Sequence, residues 1–441
     1  MIDDFMGTIK DMKYFQSLII FLLVLIVIVS CQSKNEKESE QSNDSAFVFT
    51  TPKVLDMKSY LEKKKQMNKL DTTTILRLSQ IADDVEYVLL KASNGNQEVF
   101  IGQGFVNLFI CKDYIFVQMC GNIIQYDREG NLIRTIGRKG GGPGEYVWVN
   151  TMVVDDQAKR ILITTTSDRI NEYDFEGKFI RDIKTPYRGK LMPLDSGRIA
   201  LDVENLWYDV KERLVILNEK GEVEKSFPRY ELFEHTNNGR IDSETDRIPR
   251  LTKFHDIVCF NEAYNDTIFE LKNNELHMRY FIDWGKWAPK AKYFIEPEKY
   301  ADMQWECIVI KGFYETDRYI IMPGLRYPST FVYDKKEDKI KEKAPYSTEN
   351  SKLFTELFKE AEGGFFNDVD GGLVQNIDGI SLDSKYIFCS YYASDVKQFF
   401  EEGGYSKYVK DPKKLAKLKA LVDTIDEDKH NLFIMMSKLK E

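Results

Sequence analysis

Apolar and polar side chains alternate over short runs along most of the chain, and tight turns separate these runs. Residues 124–136 show the unit: an alternating run ends at Tyr126 and Asp127, two residues lead to Gly130, and a second run follows. Alternation with a period of two is typical of strands that bury one face. The turn closes a hairpin, because Asp bonds backbone amides ahead of it and Gly adopts a positive φ. The pattern predicts pairs of antiparallel strands.

This turn recurs at a regular interval. The turn at Asp127 returns at Asp174 and at Asn218, each time with a glycine three residues later. From residue 127 to 174 is 47 residues, and from 174 to 218 is 44 residues. A four-stranded propeller blade occupies ~40–50 residues. The spacing therefore favours a ring of repeated blades.

Weaker copies extend the repeat to six units. Residues 267–276 carry two asparagines in place of the glycine, residues 330–340 keep Tyr-Asp without it, and residues 379–392 form the last unit. We therefore predict an all-β fold, a six-bladed β-propeller of four-stranded antiparallel blades, over residues 74–441.

A ring of blades must join its two ends so that no sheet edge is left unpaired at the seam. Residues 432–436 form an apolar run near the C-terminus, and two early strands lie between residues 74 and 90. We expect these pieces to complete the last blade together.

Two or three peripheral helices interrupt the strands. Residues 53–73 form a lead-in that contains a short, charged surface helix after Asp56. Helical insertions near 349–362 and 411–429 each show an apolar stripe, and the second opens with Asp411, a cap residue, followed by proline. We expect the stripes to pack on the side or rim of the propeller, with a partner-binding groove as the alternative.

A glycine-rich joint, residues 137–146, lies between two copies of the repeat. The run of glycines, Gly144-Glu145-Tyr146 and a strand ending at Asp155 resemble the blade junction of NHL-type propellers. With residues 265–271 this pattern also resembles a family of six-bladed β-propeller lipoproteins of Gram-negative bacteria. The resemblance covers roughly residues 74–441. It implies the same fold and transfers no catalytic residue to this chain.

The N-terminus has the pattern of an export signal. Lys10 and Lys13 precede an apolar run over 15–29, which is shorter than the ~20 residues that span a membrane. The run leads to Cys31, and this end resembles the bacterial lipoprotein signal, in which the cysteine is lipidated and becomes the new N-terminus. We predict a signal peptide over 1–30, with a retained signal anchor as the alternative.

Residues 31–52 are predicted to be a flexible tether, because 32–46 contain no large apolar side chain. We expect a lipid-anchored protein of the cell envelope, at the outer membrane, and the sequence leaves open its periplasmic or surface face. It also leaves open whether translation starts at Met1 or Met12.

Charge and cysteine content narrow the possible partners. The net charge of −9 lacks the positive field that nucleic acid requires, so we expect no nucleic-acid partner. Besides Cys31 the chain has five cysteines without metal-ligand spacing, and we interpret them as small buried strand residues. The four histidines are scattered singly, so we expect neither a metal nor another cofactor.

The candidate ligand site is the mouth of the central channel, which blade-connecting loops surround in propellers. The glycine-rich joint is not a phosphate loop, because its lysine precedes the glycines and a strand follows them. Sites that recognise carbohydrates or peptides commonly combine arginine with aromatic residues. The candidate ligand-binding residues on these loops are Arg138, Lys139, Glu145, Tyr146, Arg188, Arg247, Arg250, Trp305, Arg326 and Tyr327.

The sequence favours a non-catalytic ligand- or protein-binding module that is anchored by its N-terminal lipid. Its expected partners are the membrane and either an envelope protein or a carbohydrate or peptide ligand. We assign no catalytic residue. Two alternatives stay open: a propeller-type lyase or hydrolase acting on saccharide or peptide at the channel mouth, and an accessory subunit of an outer-membrane nutrient-uptake complex.

Overall fold

Six antiparallel four-stranded arrays follow one another in the computed structural model of the protein, which confirms the predicted all-β, six-bladed β-propeller. The structure describes residues 47–48, 50–63, 74–99, 106–119, 121–165, 169–204, 210–229, 250–262, 265–288, 307–324, 330–341, 344–345, 364–404 and 411–441. Two predicted segments lie outside these residues: the signal peptide with Cys31, and the helix near 349–362.

The strands are short, as expected for blades. In chain order they are β1 (Phe47–Val48), β2 (Lys53–Asp56), β3 (Thr74–Ile75), β4 (Ala82–Lys91), β5 (Val106–Ile110), β6 (Tyr114–Met119), β7 (Asn122–Asp127), β8 (Leu132–Thr135), β9 (Arg138–Lys139), β10 (Glu145–Tyr146), β11 (Val149–Asp155), β12 (Arg160–Thr165), β13 (Arg169–Asp174), β14 (Phe179–Lys184), β15 (Gly189–Pro193), β16 (Ile199–Val203), β17 (Glu212–Leu217), β18 (Val223–Pro228), β19 (Leu251–Phe254), β20 (Ile257–Asn261), β21 (Thr267–Lys272), β22 (Glu275–Asp283), β23 (Tyr314–Glu315), β24 (Tyr319–Pro323), β25 (Thr330–Asp334), β26 (Lys339–Ile340), β27 (Ala344–Pro345), β28 (Gly379–Ile380), β29 (Tyr386–Tyr392) and β30 (His430–Leu439).

Five blades each use four consecutive strands. Blade 1 is β5–β8, blade 2 is β11–β14, blade 3 is β15–β18, blade 4 is β19–β22 and blade 5 is β23–β26. Blade 6 has the order β28-β29-β30-β4. The repeated Asp-x-x-Gly turn joins the third and fourth strands, and in blade 1 the Asp127 carboxylate accepts hydrogen bonds from the amides of Glu129 and Asn131.

The first strand of each blade lies toward the middle of the ring. β5 contacts β11, β11 contacts β15, β15 contacts β19, β19 contacts β23, and β28 contacts β5. Each blade has an even number of antiparallel strands, so every first strand starts at the same face of the ring. We call this the strand-start face. The turns between second and third strands lie at it too.

The last blade closes the ring with both ends of the chain. β4 pairs antiparallel with β30, from Ala82 opposite Leu439 to Lys91 opposite His430. The side chain of Phe433 is fully buried in this sheet, and its ring lies 5.3 Å from that of Tyr87. The predicted role of residues 432–436 and of the second early strand, β4, is confirmed, whereas the first early strand, β3, pairs with β27 and not with blade 6.

The N-terminal segment continues around the outside of the ring. β1 and β2 pair in parallel with β22, the outer strand of blade 4, although the sequence placed Phe47–Val48 within the tether. Helix α1 (Met57–Lys63) follows, and its amide at Ser59 donates to the Asp56 cap. The predicted surface helix buries Met57 and Leu61 between blades 4 and 5, so it contributes to the core.

Two more helices lie between β29 and β30. Helix α3 (Pro412–Val422) begins after Asp411, whose carboxylate accepts from the Lys413 amide as predicted, and it ends before the predicted limit at 429. Helix α2 (Ala393–Glu401) was not predicted. Both helices pack their apolar side chains against blade 6. Within the described residues no helix is both long and apolar enough to span a bilayer.

The cysteines agree with the interpretation as small buried residues. Four of them are described, Cys111, Cys259, Cys307 and Cys389, and each is buried. Burial raises the pKa of the Cys259 thiol to about 12, so this thiol stays protonated at neutral pH and is a poor nucleophile.

Phe433→Ala tests the closure of the ring. We expect it to lower the free energy of unfolding by about 3–5 kcal/mol, because it removes a fully buried aromatic side chain from the sheet that both chain ends share. Val223→Ala is the control, since Val223 is 42% exposed at the start of an outer strand. Chemical denaturation measures both variants, and an equal cost for the two would contradict the closure model.

Candidate ligand-binding face

The strand-start face gathers the segments that link one blade to the next. Trp148 precedes β11, Arg188 precedes β15 and Arg250 precedes β19, so all three residues lie at this face. Gly121, in the turn between β6 and β7, also lies there. The blade links are thus held on a rigid ring, which is the placement that the sequence predicted for a ligand site.

The glycine-rich joint connects blade 1 to blade 2. Its two ends run side by side, because β9 and β10 pair in parallel. The Tyr146 hydroxyl donates to the Ile136 carbonyl oxygen at 2.7 Å, and the ring is buried in the core between the two blades. Gly137 has a φ of +65°, and a Cβ there would lie 2.7 Å from the Tyr146 ring. Tyr146 therefore braces the joint from inside.

Glu145 closes the loop of the joint. One carboxylate oxygen accepts from the Gly142 amide at 2.8 Å, and the other accepts from Arg138 Nε at 2.5 Å. These donors hold the pKa of Glu145 below its usual value, the Gly142 amide most strongly. Among the candidate residues in the joint, Glu145 and Tyr146 thus stabilise the backbone, while Arg138 and Lys139 are exposed. A ligand-binding role for these four stays a prediction.

Two other candidates, Arg188 and Arg250, lie in different blade links. Arg188 is exposed ahead of β15, whereas Arg250 is partly buried ahead of β19 and lies 3.5 Å from the Asp202 carboxylate. Their ligand-binding role also stays a prediction. Four further candidates lie outside the described residues: Arg247, Trp305, Arg326 and Tyr327.

A buried group of charges lies at the same face between blades 3 and 4. Glu262, which follows β20, is 2.8 Å from Arg213 of β17 and 3.6 Å from Arg229, which follows β18. The side chains of all three are almost fully buried. Removing one partner of a buried ion pair leaves the other charge buried and uncompensated, which is strongly destabilising. We therefore interpret this group as one that holds blades 3 and 4 together. This group was not predicted from the sequence.

Two exposed apolar residues were not predicted from the sequence. Val147 is 67% exposed and Trp148 is 49% exposed, directly after the glycine-rich joint. The benzene part of the Trp148 indole lies against Gly121, where a Cβ would come within 3.0 Å of Trp148 Cε3. An indole held in this position offers an apolar, partly exposed surface of the kind found at interaction sites. The sequence feature that could have indicated this exposed site is a tryptophan just ahead of a predicted strand.

Acidic, histidine and cysteine side chains are spread over the described part of the chain. There, no group of three or more of them is arranged to hold a metal ion. The carboxylates discussed above take part in hydrogen bonds or ion pairs that stabilise the blades and their joints.

Comparisons with known proteins identify a family and a similar fold. Residues 62–438 match the family described as "Domain of unknown function (DUF4934)". No curated protein matches the sequence. The crystal structure of a Bacteroides fragilis NCTC 9343 protein, named as a candidate exported protein, has a TM-score of 0.62 at 14% identity, covering 89% of this chain and 100% of that chain. At this identity the similarity concerns the fold alone.

A second solved structure is less similar. It is a member of the DUF4221 family from Bacteroides vulgatus, with a TM-score of 0.42 at 13% identity, covering 81% of this chain and 99% of that chain. This TM-score is too low to support an argument about the present chain.

Glu145→Gln tests whether this carboxylate closes the joint. We expect a lower thermal midpoint at pH 7, because the neutral amide is a weaker partner for Arg138 and for the Gly142 amide. The folded-state pKa lies below the ordinary value of 4.5, so the contribution is complete above pH 4.5 and is lost as the pH falls through the folded-state pKa. The wild type and the variant should therefore converge in acid.

Thermal unfolding at pH values from about 3 to 8, a range that includes the titration of carboxylates, measures the difference in thermal midpoint between the two proteins. Glu129→Gln, in an exposed turn, is the matched control. A difference between wild type and Glu145→Gln that is the same at both ends of the range would mean that the charge does not close the joint.

Proposed function

The chain belongs to the DUF4934 family, and we propose that it is a lipid-anchored, NHL-like propeller that acts as a non-catalytic binding module at the outer membrane. The lipid on Cys31 holds the protein at the membrane, the polar segment after it gives reach, and the ring presents a fixed surface to a ligand or a partner protein.

The anchor is supported by the N-terminal sequence. A basic start, an apolar run over 15–29 and Cys31 follow in the order of a lipoprotein signal. The structurally similar Bacteroides fragilis protein is named as a candidate exported protein, which agrees with export. A single acyl chain binds membranes only weakly, so stable anchoring needs more than one chain. Bacterial lipoprotein processing of the type that Cys31 resembles would supply it.

The binding role rests on one observation: Val147 and Trp148 expose apolar surface at the strand-start face of a rigid ring. Large apolar side chains that stay exposed at a fixed position are typical of interaction sites. The neighbouring charged groups, by contrast, are engaged in holding the joint and the blades together. A surface built in this way suits binding better than proton transfer.

Cys31→Ala tests the anchor. We expect the variant to lose metabolic labelling by a radioactive or alkyne-tagged fatty acid and to leave the membrane fraction, because the thiol is the only acyl acceptor in the proposed signal. Ser33→Ala, two residues further on, is the control and should keep both the label and the membrane fraction. Fractionation of cells that express the full chain gives the result.

Retention of Cys31→Ala in the membrane without fatty-acid label would instead show a signal anchor. A label that persists in the variant would place the lipid on another residue. Either result would overturn the lipoprotein assignment, while the binding role of the strand-start face would still be tested separately through Trp148.

A further inference from the structure

We infer that Trp148 and the amide side chains beside it form a platform that binds an uncharged carbohydrate. This inference rests on the proposed binding function and specifies its ligand. The platform consists of Trp148, Asn150, Asn107 and Gln118, and it crosses from blade 1 to blade 2 at the strand-start face.

The indole is the apolar part of the platform. About half of Trp148 is exposed, while its benzene part lies against the Gly121 backbone. Gly121 has a φ of +71°, and any Cβ there would meet the indole at 3.0 Å, so glycine lets the turn support the ring closely. The support fixes the indole before a ligand arrives, which reduces the entropy that binding must overcome.

The amides form a connected row that reaches the backbone of the two residues after Trp148. Asn107 donates to Gln118 Oε1 at 3.4 Å, and Gln118 Nε2 donates to the carbonyl oxygens of Val149 and Asn150 at 3.2 and 3.4 Å. The exposed side chain of Asn150 donates to the Thr165 carbonyl oxygen at 3.0 Å. Gln118 is buried and fixes its neighbours, whereas Asn150 presents its amide to solvent.

This combination matches a sugar better than the other ligand classes. The face of an aromatic ring is electron-rich and attracts the weakly positive C–H groups of a pyranose ring. Amide groups both donate and accept hydrogen bonds, as sugar hydroxyls do. The adjacent charges of Arg138 and Glu145 are paired with each other. The platform itself contains no charged side chain, so we expect a neutral ligand.

The experiment presents the full-length protein, purified in detergent, to an array of soluble oligosaccharides of the glucose, galactose, mannose, xylose and N-acetylglucosamine series. A peptide array is used in parallel. Titration calorimetry with each oligosaccharide that binds then gives a Kd. We expect Trp148→Ala to weaken oligosaccharide binding at least tenfold and Trp148→Phe to retain part of the affinity.

Asn150→Ala is expected to weaken binding less than Trp148→Ala, since it removes one hydrogen-bonding group and leaves the ring in place. Ile180→Ala is the matched control, because Ile180 is 50% exposed on β14, away from the platform. It should bind like the wild type. Thermal unfolding of each variant establishes that the protein is folded, and a comparison is made only among folded variants.

The outcomes separate the inference from the proposed function. Oligosaccharide binding that Trp148→Ala abolishes supports both. Peptide binding that depends on Trp148, without oligosaccharide binding, overturns the carbohydrate inference and leaves the binding module in place. Oligosaccharide binding that is unchanged in Trp148→Ala and Trp148→Phe overturns the platform. Binding to neither array overturns both.

Discussion

The pairing of the chain's first blade strand with its last strand is the constraint on which the ring depends. β4 and β30 share one sheet, and their hydrogen bonds join residues that are more than three hundred positions apart in the sequence. A ring that failed to close would expose two unpaired strand edges and the apolar faces of two blades. Closure by both ends fixes the neighbours of every blade, and with them the positions of all the blade links.

The N-terminal segment reinforces this closure before it reaches blade 6. β1 and β2 cover the outer edge of blade 4, and α1 places Met57 and Leu61 between blades 4 and 5. The same segment then supplies β4 to the last blade. Unfolding of the segment would expose the β22 edge and apolar surface between blades 4 and 5. Its contribution to stability therefore comes from contacts with several blades at once.

The glycine-rich joint shows how the packing of a blade link can leave apolar side chains at the surface. Tyr146 is buried to hold the joint, and Glu145 accepts hydrogen bonds from the joint's own backbone and from Arg138. With these two side chains committed, the next residues, Val147 and Trp148, are left at the surface ahead of β11. The proposed carbohydrate platform therefore arises where the link between two blades ends.

The repeat, the blade type, the number of blades and two of the segments that close the ring, β4 and residues 432–436, were predictable from the sequence, because strand alternation and turn chemistry act between neighbours in the chain. The early strand β3 was assigned to the last blade as well, yet it pairs with β27. The sequence also identified the cap at Asp411. It did not indicate helix α2, whose buried residues Ala393 and Val396 pack against blade 6. Nor did it show that Phe47–Val48 adds to β22, since edge pairing depends on which strand is nearby.

Which candidate side chains are exposed depends on the packing of the blades and could not be predicted from the sequence. Glu145, Tyr146 and Arg250 have polar and charged groups suited to recognition, yet the fold brings each one against a partner within the protein. Trp148 has a large apolar ring, yet it is half exposed at the surface, where the Gly121 turn supports it. Composition gives a side chain its chemistry, but its exposure depends on residues that are distant in the sequence and meet only when the blades pack.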